Sequence, residues 1–98
     1  MKSIIQDEKE CFLCRYFYNI ENLMWLECHH VFGGANRNLS EKYGLKVYLC
    51  HSHHNESPLG VHYNSANKML VKRIGQLAFE KQYTHEEFMK IFGKNYLG

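Results

Sequence analysis

Residues 49–55 read Leu49-Cys50-His51-Ser52-His53-His54-Asn55 and carry four candidate metal ligands within five positions. A second pair, Cys11-x2-Cys14, precedes Cys50 with 35 residues between them. A two-residue gap lets a tight turn bring both side chains of a pair to one ion, and two such pairs complete the tetrahedron that Zn²⁺ prefers. The spacing therefore predicts one structural zinc site with four ligands, namely Cys11, Cys14, Cys50 and His53.

The fourth ligand of this site is open to alternatives. His51 and His54 also follow Cys50, and Cys28 is a further thiol. Cys28 also fits a small buried residue behind a strand, because unpaired cysteine is among the most buried residue types. A lone C-x2-C also occurs in redox motifs, but a redox protein leaves the histidines unexplained and no thioredoxin-like βαβ pattern is evident.

The size and composition of the chain agree with a metal-stabilised fold. A chain of 98 residues predicts a single domain, 1–98, and domains of this size bury only about two-thirds of their unfolded surface, so many need a metal or a disulfide. No stretch approaches the roughly 18 apolar residues of a membrane span. The first residues turn polar at Gln6, so we expect no signal peptide and a cytoplasmic location. Disulfides are rare there, which favours metal binding by the four cysteines.

The pattern of apolar residues divides the chain into a Cys/His-rich front, 11–62, and a helical back, 64–92. The front predicts one strand within 22–32 and another at 45–49. Between them we expect a glycine- and asparagine-rich loop over 32–38 and a short helical turn over 40–43. A short helix over 50–56 should be interrupted by the turn at 57–60.

The helical back has apolar residues at helical spacing from Ala66 to Ala78. Asn64 or Ser65 suits the N-cap of a helix running to about Gln82. Thr84 and Glu87 match a capping box that opens a second helix, which Gly93 can close. We expect these helices to supply apolar surface to the small front, and the basic residues of the first are candidate phosphate contacts: Lys68, Lys72 and Arg73.

Four further histidines surround the predicted zinc ligands, namely His29, His30, His54 and His62. Histidine both binds divalent metals and transfers protons near neutral pH. Neighbouring side chains on a strand point in divergent directions, so His29 and His30 cannot easily bind one ion in the same way. This arrangement suggests that one of the two binds a metal and leaves the other free as a base.

Cys28-His29-His30-Val31-Phe32, followed by residues 49–55, resembles the HNH or ββα-metal nuclease family, and in particular its small phage-type members with an added C-x2-C zinc clip. The resemblance covers roughly 11–62, and the segment 76–97 also resembles the helical tail of those proteins. It implies an α+β fold, with a small zinc-stapled ββα-metal core and a C-terminal helical extension. It also implies a bacterial or phage-infected cell as the setting.

Carried over position by position, the resemblance makes His29 the first ligand of a catalytic divalent ion and His30 the general base. His53 replaces the second cysteine of the family's L-C-x-x-C-H segment, and His54 matches its histidine as a second ligand. The implied activity is hydrolysis of DNA phosphodiester bonds by an HNH endonuclease. Its catalytic ion would be Mg²⁺ or Mn²⁺, with Zn²⁺ or Ni²⁺ as alternatives, beside the structural zinc.

The sequence departs from the family pattern at two places. The family's central asparagine is missing from 43–48, and its role could fall to Asn36, Asn38 or Asn55. Its late helix ligand is replaced by Pro58, and His62 is the candidate replacement. The net charge of +2 permits nucleic-acid binding without indicating it. The alternative to an enzyme is a non-catalytic, zinc-stabilised DNA-binding module.

Overall fold

The computed structural model describes all residues from 1 to 98. It has five α-helices, a short 3₁₀ turn at Gly34–Asn36 and one two-stranded sheet. None of the helices is long and apolar enough to cross a membrane. In chain order the elements are α1 (Phe12–Tyr18), β1 (Leu26–His30), α2 (Arg37–Tyr43), β2 (Lys46–Cys50), α3 (His51–His54), α4 (Ser65–Glu80) and α5 (His85–Phe92).

The sheet is an antiparallel pair in which His29 lies opposite Val47 and His30 opposite Lys46. Alternate residues of a strand face opposite sides, and this alternation separates the two histidines. His29 is 7% exposed and faces α3, whereas His30 faces α2. The predicted α+β class is confirmed at this level, as an antiparallel strand pair followed by a helix.

The front differs from the sequence prediction in four details. Helix α1 was not predicted, because its run of aromatic residues over 12–18 has low intrinsic helix propensity. Helix α2 begins at Arg37 within the predicted loop, and α3 ends at His54 rather than near Glu56. The prediction that Cys28 is buried is wrong, because its side chain lies on the exposed face of β1.

The two C-terminal helices follow their sequence signals closely. Asn64 caps α4 by accepting a hydrogen bond from the Asn67 amide, and Thr84 and Glu87 form both bonds of a capping box. Gly93 ends α5 in the left-handed conformation, with φ of 78°. An aromatic cluster then joins both helices to Phe32, the second residue after β1, with ring centroids 4.8–5.8 Å apart among Phe32, Phe79, Phe88 and Phe92.

Helix α4 packs closely against Val31, the residue after β1, at Gly75. A Cβ atom built there would lie 2.9 Å from Cγ1 of Val31, a distance that real Cβ contacts do not show. Val31 is buried and immediately follows the two histidines of β1. Glycine at position 75 therefore lets the long helix pack directly behind the strand that presents them.

Gly75→Ala should lower the free energy of unfolding although alanine is the better helix former. Overpacking of a core costs about 1–3 kcal/mol, and the gain in helix propensity is about 0.5–1 kcal/mol. We expect a net loss of about 1 kcal/mol in urea unfolding. In the double variant Gly75→Ala/Val31→Ala, the loss in free energy of unfolding should be smaller than the sum of the losses in the two single variants. A Gly75→Ala variant as stable as the parent would disprove the close approach.

Candidate metal centres

Four side chains from distant parts of the sequence meet at one buried point, positioned to bind a metal ion: Cys11, Cys14, Cys50 and His53. The Nδ1 atom of His53 lies 3.6 Å from the Cys11 sulfur, 3.4 Å from that of Cys14 and 3.3 Å from that of Cys50. The sulfurs of Cys14 and Cys50 are 3.9 Å apart. All four cysteines of the chain are free thiols.

These distances fit the edges of a tetrahedron around zinc. Usual zinc–sulfur and zinc–nitrogen bond lengths give about 3.8 Å between two sulfurs and about 3.6 Å between sulfur and nitrogen. A disulfide would require about 2.05 Å between sulfurs. Burial raises the pKa of the Cys11 and Cys50 thiols, so a metal must displace protons to bind them. The donor set therefore fits a closed metal site.

Both ligand pairs are built in the same way, at the start of a short helix. Cys11 and Cys50 are the N-caps of α1 and α3, and Cys14 and His53 are the third residues of those helices. The Cys11 sulfur accepts a hydrogen bond from the Cys14 amide at 3.4 Å. An N-cap side chain lies over the first turn of its helix, near position N3, and the same two-residue gap therefore serves both pairs.

The structure selects His53 among the candidates for the fourth position. Cys28 lies on the exposed face of β1, and the His51 ring contacts Glu27 at 3.1 Å instead. Burial lowers the pKa of His53 and keeps its ring neutral, as a metal ligand requires. Its second nitrogen, Nε2, is buried with no hydrogen-bond partner, so only Nδ1 has polar neighbours.

A second group of three histidines is also positioned to bind a metal: His29 of β1, His54 of α3 and His62 before α4. Their ring centroids are 4.7–5.4 Å apart. The Nε2 atoms of His54 and His62 are 3.1 Å apart, close to the separation of about 3.0–3.4 Å expected for nitrogens on one ion. Burial and the other two rings lower the pKa of His29 to about 3. The group therefore offers uncharged imidazole to a cation.

Glu27 holds His54 in an orientation suited to metal binding. Glu27 was not predicted from the sequence as a residue of the site. Its carboxylate accepts a hydrogen bond from His54 Nδ1 at 2.7 Å, which leaves the Nε2 lone pair facing His62. Bonds from His54 and His51 lower the pKa of Glu27 to about 2, so it stays charged. Carboxylates that orient metal-binding histidines are common. The available signal was its position two residues before His29, on the same strand face.

Gly60 brings His62 to this group by a close turn of the backbone. A Cβ atom at Gly60 would lie 2.7 Å from the Glu56 carbonyl oxygen and 2.9 Å from that of His54. The amides of Val61 and His62 then donate to the carbonyls of His53 and His54, at 2.8 and 3.3 Å. The segment after α3 is thus folded back onto that helix, which makes His62 a neighbour of His54.

His30 lies beside the three histidines without joining them. Its Nε2 atom is 2.9 Å from a Glu41 oxygen, and its Nδ1 accepts from Arg37 at 3.4 Å. All four histidines border one cavity of about 520 Å³, together with the basic residues Arg37, Lys68 and Lys72. This is a concave, positively charged site next to a candidate metal centre.

None of the three candidate asparagines lines that cavity. Asn55 contacts the histidine group indirectly, because its amide donates to the same Glu27 oxygen that holds His54, at 3.0 Å. Asn36 and Asn38 lie in the 3₁₀ turn and in α2. Asn55 therefore supports the histidine group through Glu27.

The third predicted phosphate contact, Arg73, does not line the cavity either. Its Nε–H group donates to the Tyr96 carbonyl instead.

Comparisons with protein-family models, with curated proteins and with solved structures found no match to this chain.

Cys11→Ala should prevent stable folding. Structural zinc sites contribute about 10–16 kcal/mol of apparent binding energy, which matches or exceeds the whole stability of a typical domain, about 5–15 kcal/mol. We expect circular dichroism to show an unfolded chain and elemental analysis to show no tightly held zinc. Cys28→Ala, which removes the one thiol outside the cluster, should fold with one zinc ion. A stable, zinc-replete Cys11→Ala protein would rule out the site.

Gly60→Ala should weaken divalent-metal binding at the three histidines while leaving the Cys/His site filled. The added methyl group collides with backbone atoms of 54–56, so His62 must move away from His54. We expect a loss of affinity of about 10- to 100-fold in a Co²⁺ titration of the zinc-loaded protein. Gly33→Ala is the control, since its Cβ meets nothing within 4 Å. Equal affinity in both variants would contradict the role of Gly60.

Proposed function

We propose that this protein is a metal-dependent endonuclease of the HNH type that hydrolyses phosphodiester bonds in DNA. The observation that carries the proposal is the division of one histidine doublet between two roles. His29 belongs to a group positioned to bind a metal, and His30 borders the same cavity with a nitrogen outside that group. A metal ion and a nearby general base together supply the two contributions that a hydrolytic phosphodiester cleavage can use, charge stabilisation and activation of water.

The residues of the cavity can divide the reaction among them. His29, His54 and His62 would hold a divalent ion, which when bound supplies Lewis-acid stabilisation of the phosphate and of the departing sugar oxygen. His30 takes a proton from the attacking water as general base. Water then attacks phosphorus in line, on the side opposite the departing oxygen.

Basic side chains around the cavity suit the charge of the substrate. Arg37 borders it on one side, and Lys68 and Lys72, one turn apart on α4, border it on another. Arginine and lysine are common contacts to nucleic-acid phosphates and neutralise their charge. The net charge of the whole chain is only +2, so this local concentration supports nucleic-acid binding better than overall charge does.

The two centres call for different metals. Three thiolates and one imidazole in a closed tetrahedron suit Zn²⁺, which we assign to the Cys/His cluster as a structural ion. Three imidazoles suit transition metals such as Zn²⁺ or Ni²⁺ better than Mg²⁺, which prefers oxygen ligands. The catalytic ion of the sequence analysis, Mg²⁺ or Mn²⁺, is therefore to be tested against Zn²⁺ and Ni²⁺.

A nuclease assay with supercoiled, linear duplex and single-stranded DNA tests the proposal. We expect cleavage that requires added divalent metal and falls by about 10²- to 10⁴-fold in His30→Ala, the usual contribution of a general base. Zinc content and circular dichroism should not change. His85→Ala is the matched control, because His85 is bonded to Glu80 outside the cavity.

Two results would count against the proposed endonuclease. Full activity in His30→Ala would remove His30 from its assigned role. If the protein binds DNA but does not cleave it with Mg²⁺, Mn²⁺, Zn²⁺ or Ni²⁺ added, that result would favour the alternative, a non-catalytic zinc-stabilised DNA-binding module. In that case the basic residues Arg37, Lys68 and Lys72 would serve binding alone.

A further inference from the structure

His30 lies between two charged groups whose hydrogen-bonding capacities are fixed. Its Nδ1 faces the Nε–H group of Arg37 at 3.4 Å, and its Nε2 faces an oxygen of Glu41 at 2.9 Å. A guanidinium group only donates, and an ionised carboxylate only accepts. The two contacts therefore agree on one assignment, in which Nδ1 carries the lone pair and Nε2 carries the hydrogen.

Glu41 is itself held in place from two sides. Its second oxygen accepts a hydrogen bond from Lys46 Nζ at 2.8 Å, and Lys46 is the residue opposite His30 in the sheet. The preceding residue, Ser40, is fully buried and bonds both backbone groups of Phe32, at 2.7 and 3.0 Å. Hydrogen bonds from Lys46 and His30 lower the pKa of Glu41 and keep the carboxylate charged.

We propose that Glu41 is a positioning residue for His30, which fixes the ring as the Nε2–H tautomer and makes Nδ1 the nitrogen that accepts the proton. This inference rests on the proposed function for its catalytic consequence, but the tautomer can be measured without any cleavage. A carboxylate in this place orients the imidazole and stabilises the imidazolium that forms when it takes a proton.

In the hydrolysis step, one proton of the attacking water moves to His30 Nδ1, and the water oxygen uses its electron pair to bond to phosphorus. The bond between phosphorus and the departing sugar oxygen breaks, its electron pair stays on that oxygen, and solvent protonates it. Arg37 occupies Nδ1 in the free protein. Its guanidinium must move off that nitrogen, and a bound phosphate offers it a stronger, bidentate partner.

Nitrogen-15 NMR of the zinc-loaded protein tests the proposal directly, because the two ring nitrogens of histidine have well-separated shifts when one tautomer is fixed. We expect His30 to be fixed with hydrogen on Nε2 in the parent and to average between tautomers in Glu41→Ala. Glu80→Gln is the matched control, since the Glu80 carboxylate contacts a histidine that does not line the cavity. Its oxygen lies 2.8 Å from Nδ1 of His85. An unchanged, fixed His30 signal in Glu41→Ala would overturn the proposal.

Kinetics give an independent readout that a merely structural role would not produce. Glu41→Ala should lower kcat by about 10- to 100-fold, with KM unchanged within a factor of about two and zinc retained. In a His30→Ala background the same substitution should cause no further loss, because Glu41 acts through His30. Additive losses in the double variant, or full kcat in Glu41→Ala, would overturn the proposal.

The two proposals fail in different ways. A parent protein that cleaves no DNA but loses its fixed tautomer in Glu41→Ala would remove the nuclease and leave the positioning contact supported. A parent that cleaves DNA and whose kcat and His30 tautomer do not depend on Glu41 would keep the nuclease and remove the positioning role.

Discussion

The meeting of three sulfurs and one imidazole nitrogen is the interaction on which the rest of the structure depends. It ties α1 to the junction of β2 and α3 through two ligand pairs that have 35 residues of chain between them. Helix α3 is only four residues long, and helices of that length do not form alone in water. The position of α3 beside the sheet therefore depends on Cys50, its N-cap, and on His53, its third residue, because both side chains belong to the cluster.

In two pairs of adjacent histidines, the two side chains lie in different surroundings. On β1, His29 and His30 point to opposite sides because strand residues alternate. On α3, His53 and His54 differ by about 100° around the helix, so one faces the Cys/His cluster and the other faces His29. Helix α3 therefore contributes one histidine to each of the two candidate metal centres. A small shift of α3 would disturb both.

The sequence predicted the metal ligands better than the residues that support them. Spacing predicted the two ligand pairs of the Cys/His cluster and left alternatives for the fourth ligand, which the structure resolves in favour of His53. His29 and His54 followed from a family resemblance, and His62 was the candidate replacement for the late ligand that the sequence lacks; the structure brings the three side chains together. The catalytic role of His30 remains a prediction, since geometry places it near the group without showing chemistry.

The supporting residues were missed because their contacts depend on tertiary structure. Glu41 reaches His30 only after α2 folds against the sheet, and no local pattern specifies that approach. Gly60 was interpreted as part of a helix stop, whereas its role is a close backbone contact. Cys28 was expected to be buried from its residue type alone, but the alternation of β1 places it on the exposed face.

Native mass spectrometry during a zinc titration tests most directly whether α3 serves two separate metal sites. The geometry predicts one ion that resists a mild chelator and a second that binds more weakly. His54→Ala should lose only the second ion, because His54 belongs to the histidine group and not to the Cys/His cluster. A single bound ion at saturation in the parent, or two ions retained in His54→Ala, would contradict the division of the histidines between two centres.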